Sequence, residues 1–200
     1  KPLRTGNTQF GYGCGLAEMD ELLGASIMAE IFHQNGIETE RVLCVIDLGR
    51  GMGIGVRAAK NLIRPAHLFL YLKQNQWENL KSACDYFIER QIDNRELKVK
   101  RGPTIYQSML DTFAEKFAQF AATLDRDYIF AWLDWDGDNV LASGGIIDYG
   151  SIRQFGLRHD QYRYDDIQRF STNLNEQKIK ARQIVQVFAQ MVDYIDTKKK

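Results

Sequence analysis

The sequence predicts an α+β domain that is mostly helical. Apolar residues recur at i, i+3 and i+4 over long stretches, which is the spacing of amphipathic helices. Strand-like runs cluster in only two places, around residues 41–60 and 128–150. Two hundred residues with a 44% apolar share suit one domain, or one domain in two lobes, with ample material for a core.

Gly11, Gly13 and Gly15 mark a loop before the first element. Ala17 to Gln34 carries Met19, Leu22, Leu23, Ile27, Met28, Ile31 and Phe32 at helical spacing, read as core, and Asn35-Gly36 is a good stop. Arg41 to Leu48 reads as a strand. The following Gly49-Arg-Gly-Met-Gly-Ile-Gly55 is a tempting dinucleotide loop, but its spacing puts Ile54 or Val56 where the last glycine belongs, so a β-hairpin turn is the preferred reading. Helices are expected from Pro65 to Leu72, from Gln76 to Gln91, and from Ile105 to Leu124 with Met109, Phe113, Phe117, Phe120 and Ala121 inward. Tyr128 to Leu133 reads as a buried strand. Ser151 to Tyr164 reads as polar and irregular. Asp165 to Asp196 is mostly helical, with Ile179, Ile184, Val185, Val187, Phe188, Met191, Val192 and Ile195 as its core stripe, and Lys198 to Lys200 form a disordered tail.

Twenty-six basic and 26 acidic residues balance to a net charge of zero, which points to neither a nucleic-acid surface nor an acidic partner. No apolar run reaches about eighteen residues, so no transmembrane helix is expected. No signal peptide is expected from the opening residues. Cys14, Cys44 and Cys84 form no C-x-x-C pair and suit a reducing cytoplasm. His33, His67 and His159 lie far apart and read as structural.

Chemistry concentrates in Trp132-Leu-Asp-Trp-Asp-Gly-Asp-Asn139 and Ile146-Ile-Asp-Tyr-Gly150, where Asp134, Asp136, Asp138, Asn139 and Asp148 fall within fifteen residues. Val140 to Ile147 forms two apolar arms around a small polar turn. If Ser143-Gly144 is a two-residue hairpin loop, Val140 faces Ile147, Leu141 faces Ile146, and Asn139 stands directly opposite Asp148. Two oxygen donors so placed can share a hard cation such as Mg²⁺. A calcium loop of the EF-hand kind fails here, since Asn139 and Gly145 stand where glycine and glutamate are needed. A phosphatase of the haloacid dehalogenase type would use Asp134 as nucleophile and Asp136 as acid and base, but that motif normally opens an α/β domain. Phosphoryl or nucleotidyl transfer on a kinase-like scaffold needs an Asp-Asn pair at one strand end and an Asp-aromatic-Gly after the next, which Asp138-Asn139 and Asp148-Tyr149-Gly150 supply. Arg57, Lys60 and Arg64 are either a solvated face or a phosphate clamp.

Taken together these blocks resemble the SelO family, also called YdiU, of kinase-like protein adenylyltransferases. The interval between Asp138-Asn139 and Asp148-Tyr149-Gly150 is the family's. Ala29 to Arg41 is similar to its Met-His, Gly-Ile, Thr-Thr-Arg stretch, Pro65-Ala-His-Leu68 to its Pro-Ser-His-Leu, and Asp85 to Arg90 to its Asp-Tyr-Val-Ile-Asp-Arg. The order matches along roughly residues 5–190, as in a divergent or truncated member.

The resemblance implies a protein-kinase-like (SelO-type) fold with an incomplete N-terminal lobe. Residues 1–65 would be a partial N-lobe-like region, and 66–200 a helical C-lobe-like region with a metal-binding hairpin at 139–148. It implies ATP and Mg²⁺ as cofactors and AMP transfer to a Ser, Thr or Tyr hydroxyl of a protein substrate, in the cytoplasm. Asn139 and Asp148 would hold metal, Asp138 would be the base, and Arg57, Lys60 and Arg64 would neutralise the triphosphate. The alternative from another class is a non-catalytic nucleotide-binding pseudokinase or scaffold. An intact lysine–glutamate pair near the hairpin would favour the enzyme. A parallel sheet beginning at Tyr128 would favour the phosphatase.

Overall fold

The computed structural model describes residues 17–97, 102, 104–131, 133, 137–154 and 173–199. The chain divides into two compact units, Lys1–Ala59 and Lys60–Lys200.

In the first unit helix α1 spans Met19–Gln34, strand β1 Arg41–Gly49 and strand β2 Met52–Ala58. The two strands pair antiparallel, with Gly49 opposite Met52. The loop between them is Arg50-Gly51, both at positive φ (57° and 76°), as a type I′ hairpin turn requires. The glycine-rich stretch is therefore a hairpin, as its spacing indicates. Two of its glycines have a further use. A Cβ on Gly53 would lie 2.5 Å from Met19 Sδ and 2.9 Å from the Ile46 carbonyl, and one on Gly55 would lie 2.7 Å from Leu22. Their bare backbone is what lets α1 lie on the sheet.

That packing buries Ala29, Phe32 and Ile37 but not the whole apolar stripe expected of α1. Leu23 and Ile27 are 48% and 60% exposed, because a two-stranded sheet covers only one narrow strip of helix surface. On the sheet face away from α1, Cys44 and Ile46 stand opposite Val56 and Ile54, and all four are exposed.

Among the described residues the second unit has four helices: α2 (Pro65–Lys73), α3 (Trp77–Asp93), α4 (Ile105–Arg126) and α5 (Leu174–Thr197). Pro65 opens α2, where its missing N–H costs nothing. Leu80, Cys84, Phe87 and Ile88 of α3 and Met109, Phe113, Phe117, Phe120 and Leu124 of α4 are buried, as their periodicity predicts. Phe188 of α5 ties these stripes together. Its ring centroid lies 3.9 Å from Phe113, 4.9 Å from Phe69 and 6.1 Å from Phe117. Burial pushes the Cys84 thiol up to about 12.

Three expectations about the C-terminal third are corrected. Ile179 is 48% exposed, while Gln177, a polar residue, is 2% exposed and takes its place on the inner face of α5. Ser151 to Tyr164 is not wholly irregular, since Ile152–Gln154 forms strand β4. Lys198 is ordered: it caps α5 at φ 56°, its N–H donates to the Tyr194 carbonyl at 2.9 Å, and its Nζ sits 3.8 Å from the Trp77 ring centroid.

Strand β3 is Phe130–Ala131, and it pairs antiparallel with β4. The parallel sheet that a haloacid-dehalogenase-type phosphatase would begin here is not formed among the described residues. On its other side β3 is held by a side chain. Gln177 Oε1 accepts the Ala131 N–H at 2.8 Å, and Gln177 Nε2 donates to the Ile129 carbonyl at 3.0 Å. One buried amide thus replaces a neighbouring strand. The strand so held leads to the candidate site.

Candidate functional site

Beyond β3 the chain passes through buried Leu133 to Gly137, also buried, at φ +74°. A Cβ on Gly137 would stand 2.4 Å from Pro65 Cβ, so both its conformation and its neighbour demand glycine. Asp134 and Asp136, the residues of the phosphatase reading, lie outside the described residues.

The hairpin forms, but one residue away from the expected register. Val140 bridges Ile146 rather than Ile147. The Leu141 N–H donates to the Gly145 carbonyl at 2.7 Å, and the Ile147 N–H donates to the Asn139 carbonyl at 3.4 Å. The loop is Ala142-Ser143-Gly144, closed by the Gly144 N–H on the Leu141 carbonyl at 2.9 Å, with Gly144 at φ +89°. A turn ending in a left-handed residue is the common three-residue connection. Gly144 is also pressed on α4, where its Cβ would meet the Lys116 carbonyl at 3.0 Å. Asn139 therefore lies across from Ile147, and Asp148 is the next residue along. The expectation that Asn139 and Asp148 stand directly opposite is corrected, since a one-residue shift changes which side chains share a face.

The hairpin still brings Asn139 and Asp148 to the same end within one residue of pairing. Asn139 is buried at 8% exposure. Asp148 is half-buried, and its Oδ1 accepts the Gly150 N–H at 3.1 Å, starting the 3₁₀ turn Tyr149–Ser151. Asp138 is exposed, and its Oδ1 lies 3.0 Å from Arg64 Nη1. An amide oxygen and a carboxylate are hard donors of the kind Mg²⁺ takes, with waters and substrate phosphates completing its octahedron. By donor type alone these two side chains suit a magnesium ion. Among the described residues no three His, Cys, Asp or Glu side chains converge on a cation position.

Each of the three cations expected to face a triphosphate holds a carboxylate. In the first unit Arg57 Nη1 is 3.0 Å from Glu40 Oε1, whose side chain is wholly buried. In the second, Lys60 Nζ is 2.5 Å from Glu96 Oε1 and Arg64 pairs with Asp138. The Lys60 hydrogen bond holds the Glu96 carboxyl below the usual glutamate range, against a smaller opposing effect of burial.

Comparison with known proteins adds one result. The chain is similar to a protein nucleotidyltransferase. It is 27% identical over 157 residues to the protein nucleotidyltransferase YdiU of Corynebacterium glutamicum, in strain R and in a second strain. The alignment takes in 73% of this chain and 33% of the YdiU protein, so the chain spans about a third of the length of the curated relatives it matches. No family model matches the chain, and no solved structure matches it. No helix among the described residues is long and apolar enough to cross a membrane.

Alongside the YdiU likeness, the structure adds residues that sequence reasoning passed over. Ile63 accepts the Ala142 N–H at 2.8 Å, and Pro65 packs on Gly137. Pro65 was legible as a helix start and within the Pro-Ala-His-Leu block, neither of which points to a partner more than seventy residues on. Gln177, which anchors β3, has no sequence signal at all.

Proposed function

We propose that the chain performs ATP- and Mg²⁺-dependent transfer of AMP to a hydroxyl of a protein substrate, on a protein-kinase-like scaffold. The observation that carries this reading is the hairpin: one short turn holds Asp138, Asn139 and Asp148 at a common end, with the donor types such a reaction uses. The likeness to YdiU supports the same direction.

In this reading Asn139 and Asp148 hold the metal, which supplies charge neutralisation to the phosphates when bound. Asp138, exposed at the hairpin's entrance, accepts the proton of the acceptor Ser, Thr or Tyr hydroxyl. The hydroxyl oxygen bonds the α-phosphorus, the bond between the α-phosphorus and the bridging oxygen breaks, and pyrophosphate leaves. Lys60, in the same unit as the hairpin and paired with Glu96, is the cation this reading assigns to the triphosphate.

The test is incorporation of label into protein from ATP labelled at the α- or the γ-phosphate, with and without Asp148→Ala. Label from the α-position alone, lost in the variant, is expected. Label from the γ-position would replace AMP transfer by phosphate transfer. Label from neither would leave a non-catalytic nucleotide-binding scaffold as the reading.

A further inference from the structure

Three consecutive residues at the entrance to α2 reach across to the hairpin, each by a different kind of contact. The Ile63 carbonyl accepts the Ala142 N–H at 2.8 Å, which fixes the arm leading into the loop. The Arg64 guanidinium holds Asp138 Oδ1 at 3.0 Å. The Pro65 ring lies where a side chain on Gly137 would have to be. Contacts at 137, 138 and 142 grip the hairpin at its entrance and near its tip.

The segment is itself held in place. Pro65 fixes its own φ and biases Arg64 toward extended backbone, where Arg64 is found at φ −93° and ψ 149°. The Arg64 N–H donates to His67 Nδ1 at 3.2 Å, and the His67 N–H returns to the Arg64 carbonyl at 3.1 Å. This reciprocal pair holds the Arg64 backbone, from which the side chain extends to Asp138. The Arg64 side chain is 28% exposed against 55% for that of Asp138, so the arginine is the more enclosed partner. A residue so held is suited to orienting a carboxylate.

We infer that Arg64 is a positioning residue for Asp138, held by the Ile63–Pro65 strap, and not a ligand of the triphosphate. The inference rests on the reading of Asp138 as the base in AMP transfer. Arg64 acts by limiting the directions the carboxylate can take, so that one oxygen is kept by the guanidinium and the other is turned toward the acceptor hydroxyl. A proton acceptor that wanders loses rate, while nucleotide affinity is untouched.

The experiment compares wild type, Arg64→Ala, Arg64→Lys, Asp138→Asn and the double variant Arg64→Ala with Asp138→Asn. Transfer of α-labelled AMP is measured as kcat and as KM for ATP. Arg64→Ala should lower kcat by about 10- to 100-fold and leave KM for ATP within about twofold. Arg64→Lys should recover part of the loss. In the Asp138→Asn background, removing Arg64 should cost nothing more, since its effect passes through that carboxylate. A raised KM with unchanged kcat, or losses that multiply in the double variant, would overturn the inference and make Arg64 a phosphate ligand.

Amide hydrogen exchange at Ala142 and Ile147 reads the strap without any activity. Both should exchange faster in Arg64→Ala and in Asp138→Asn, with no further gain in the double variant. Unchanged exchange refutes the strap whatever the transfer assay shows. Absence of AMP transfer in wild type, with exchange behaving as expected, sinks the proposed reaction while keeping the strap.

Discussion

Replacing Gln177 by leucine tests how the site is anchored to the helical core. The side chain is 2% exposed and satisfies two backbone groups of β3, the Ala131 N–H at 2.8 Å and the Ile129 carbonyl at 3.0 Å. Ile129 and Ala131 are themselves fully buried, so water has no easy route to either group. Leucine is close to glutamine in volume, and the cavity contribution is small. What remains is two buried polar groups without partners, at about 1–3 kcal/mol each. A total loss of about 2–6 kcal/mol is expected, or about 4–24 °C in Tm for a chain of this size. Urea unfolding followed by tryptophan fluorescence should show a lower midpoint at an unchanged slope. Gln177→Glu is the companion variant. A protonated glutamic acid can still accept from Ala131 and donate to Ile129, while the carboxylate cannot donate. Burial raises its folded-state pKa, so the variant should be most stable below the ordinary glutamate range and lose stability as pH rises through the folded value. A midpoint for Gln177→Leu within about 0.5 kcal/mol of wild type would refute the reasoning, since substitutions without a structural role fall in that range.

Gly53→Val should destabilise the first unit by at least about 1–3 kcal/mol, because its Cβ would meet Met19 Sδ and the Ile46 carbonyl inside contact distance; amide exchange across β1 and β2 should rise while that of α4 and α5 stays unchanged. Thiol labelling at pH 8 should modify exposed Cys44 rapidly and buried Cys84 only after denaturant is added. The raised Cys84 pKa, near 12, also has a sign: the unfolded thiol ionises from about pH 8.5 upward while the folded one does not, so this group's contribution to stability is full below that range and falls as pH rises through it. A Cys84→Ala variant should show a shallower alkaline decline in urea midpoint than wild type.

Much of the helical framework was legible because its signal is local. The α4 stripe of Met109, Phe113, Phe117, Phe120 and Ala121 repeats at helical spacing, and all but the half-buried Ala121 are buried. Gly49 to Gly55 announced a hairpin because a turn with two positive φ values needs such residues. Errors arose where burial depends on what lies opposite. Leu23 and Ile27 have the right spacing for core, yet the sheet facing α1 is too narrow to cover them. Gln177 has the wrong polarity for core, yet a strand edge needs its amide. At the candidate site the presence of a hairpin could be read from Ser143-Gly144, but its register could not. Two- and three-residue loops are both compatible with that sequence, and the close fit of Gly144 to the Lys116 carbonyl goes with the longer one.

The sequence by itself determined the periodic elements, the glycine-rich turn, and which residues carry oxygen donors near one bend of the chain. Local propensity and side-chain pattern suffice for these, because each depends on neighbours a few positions away. Only the tertiary structure decided that Asn139 faces Ile147, that Arg64 reaches Asp138, and that Gln177 completes β3. Those contacts join residues 46 to 74 positions apart where they are not cross-strand. Their geometry is set by how helices and turns pack, which no short stretch of chain encodes.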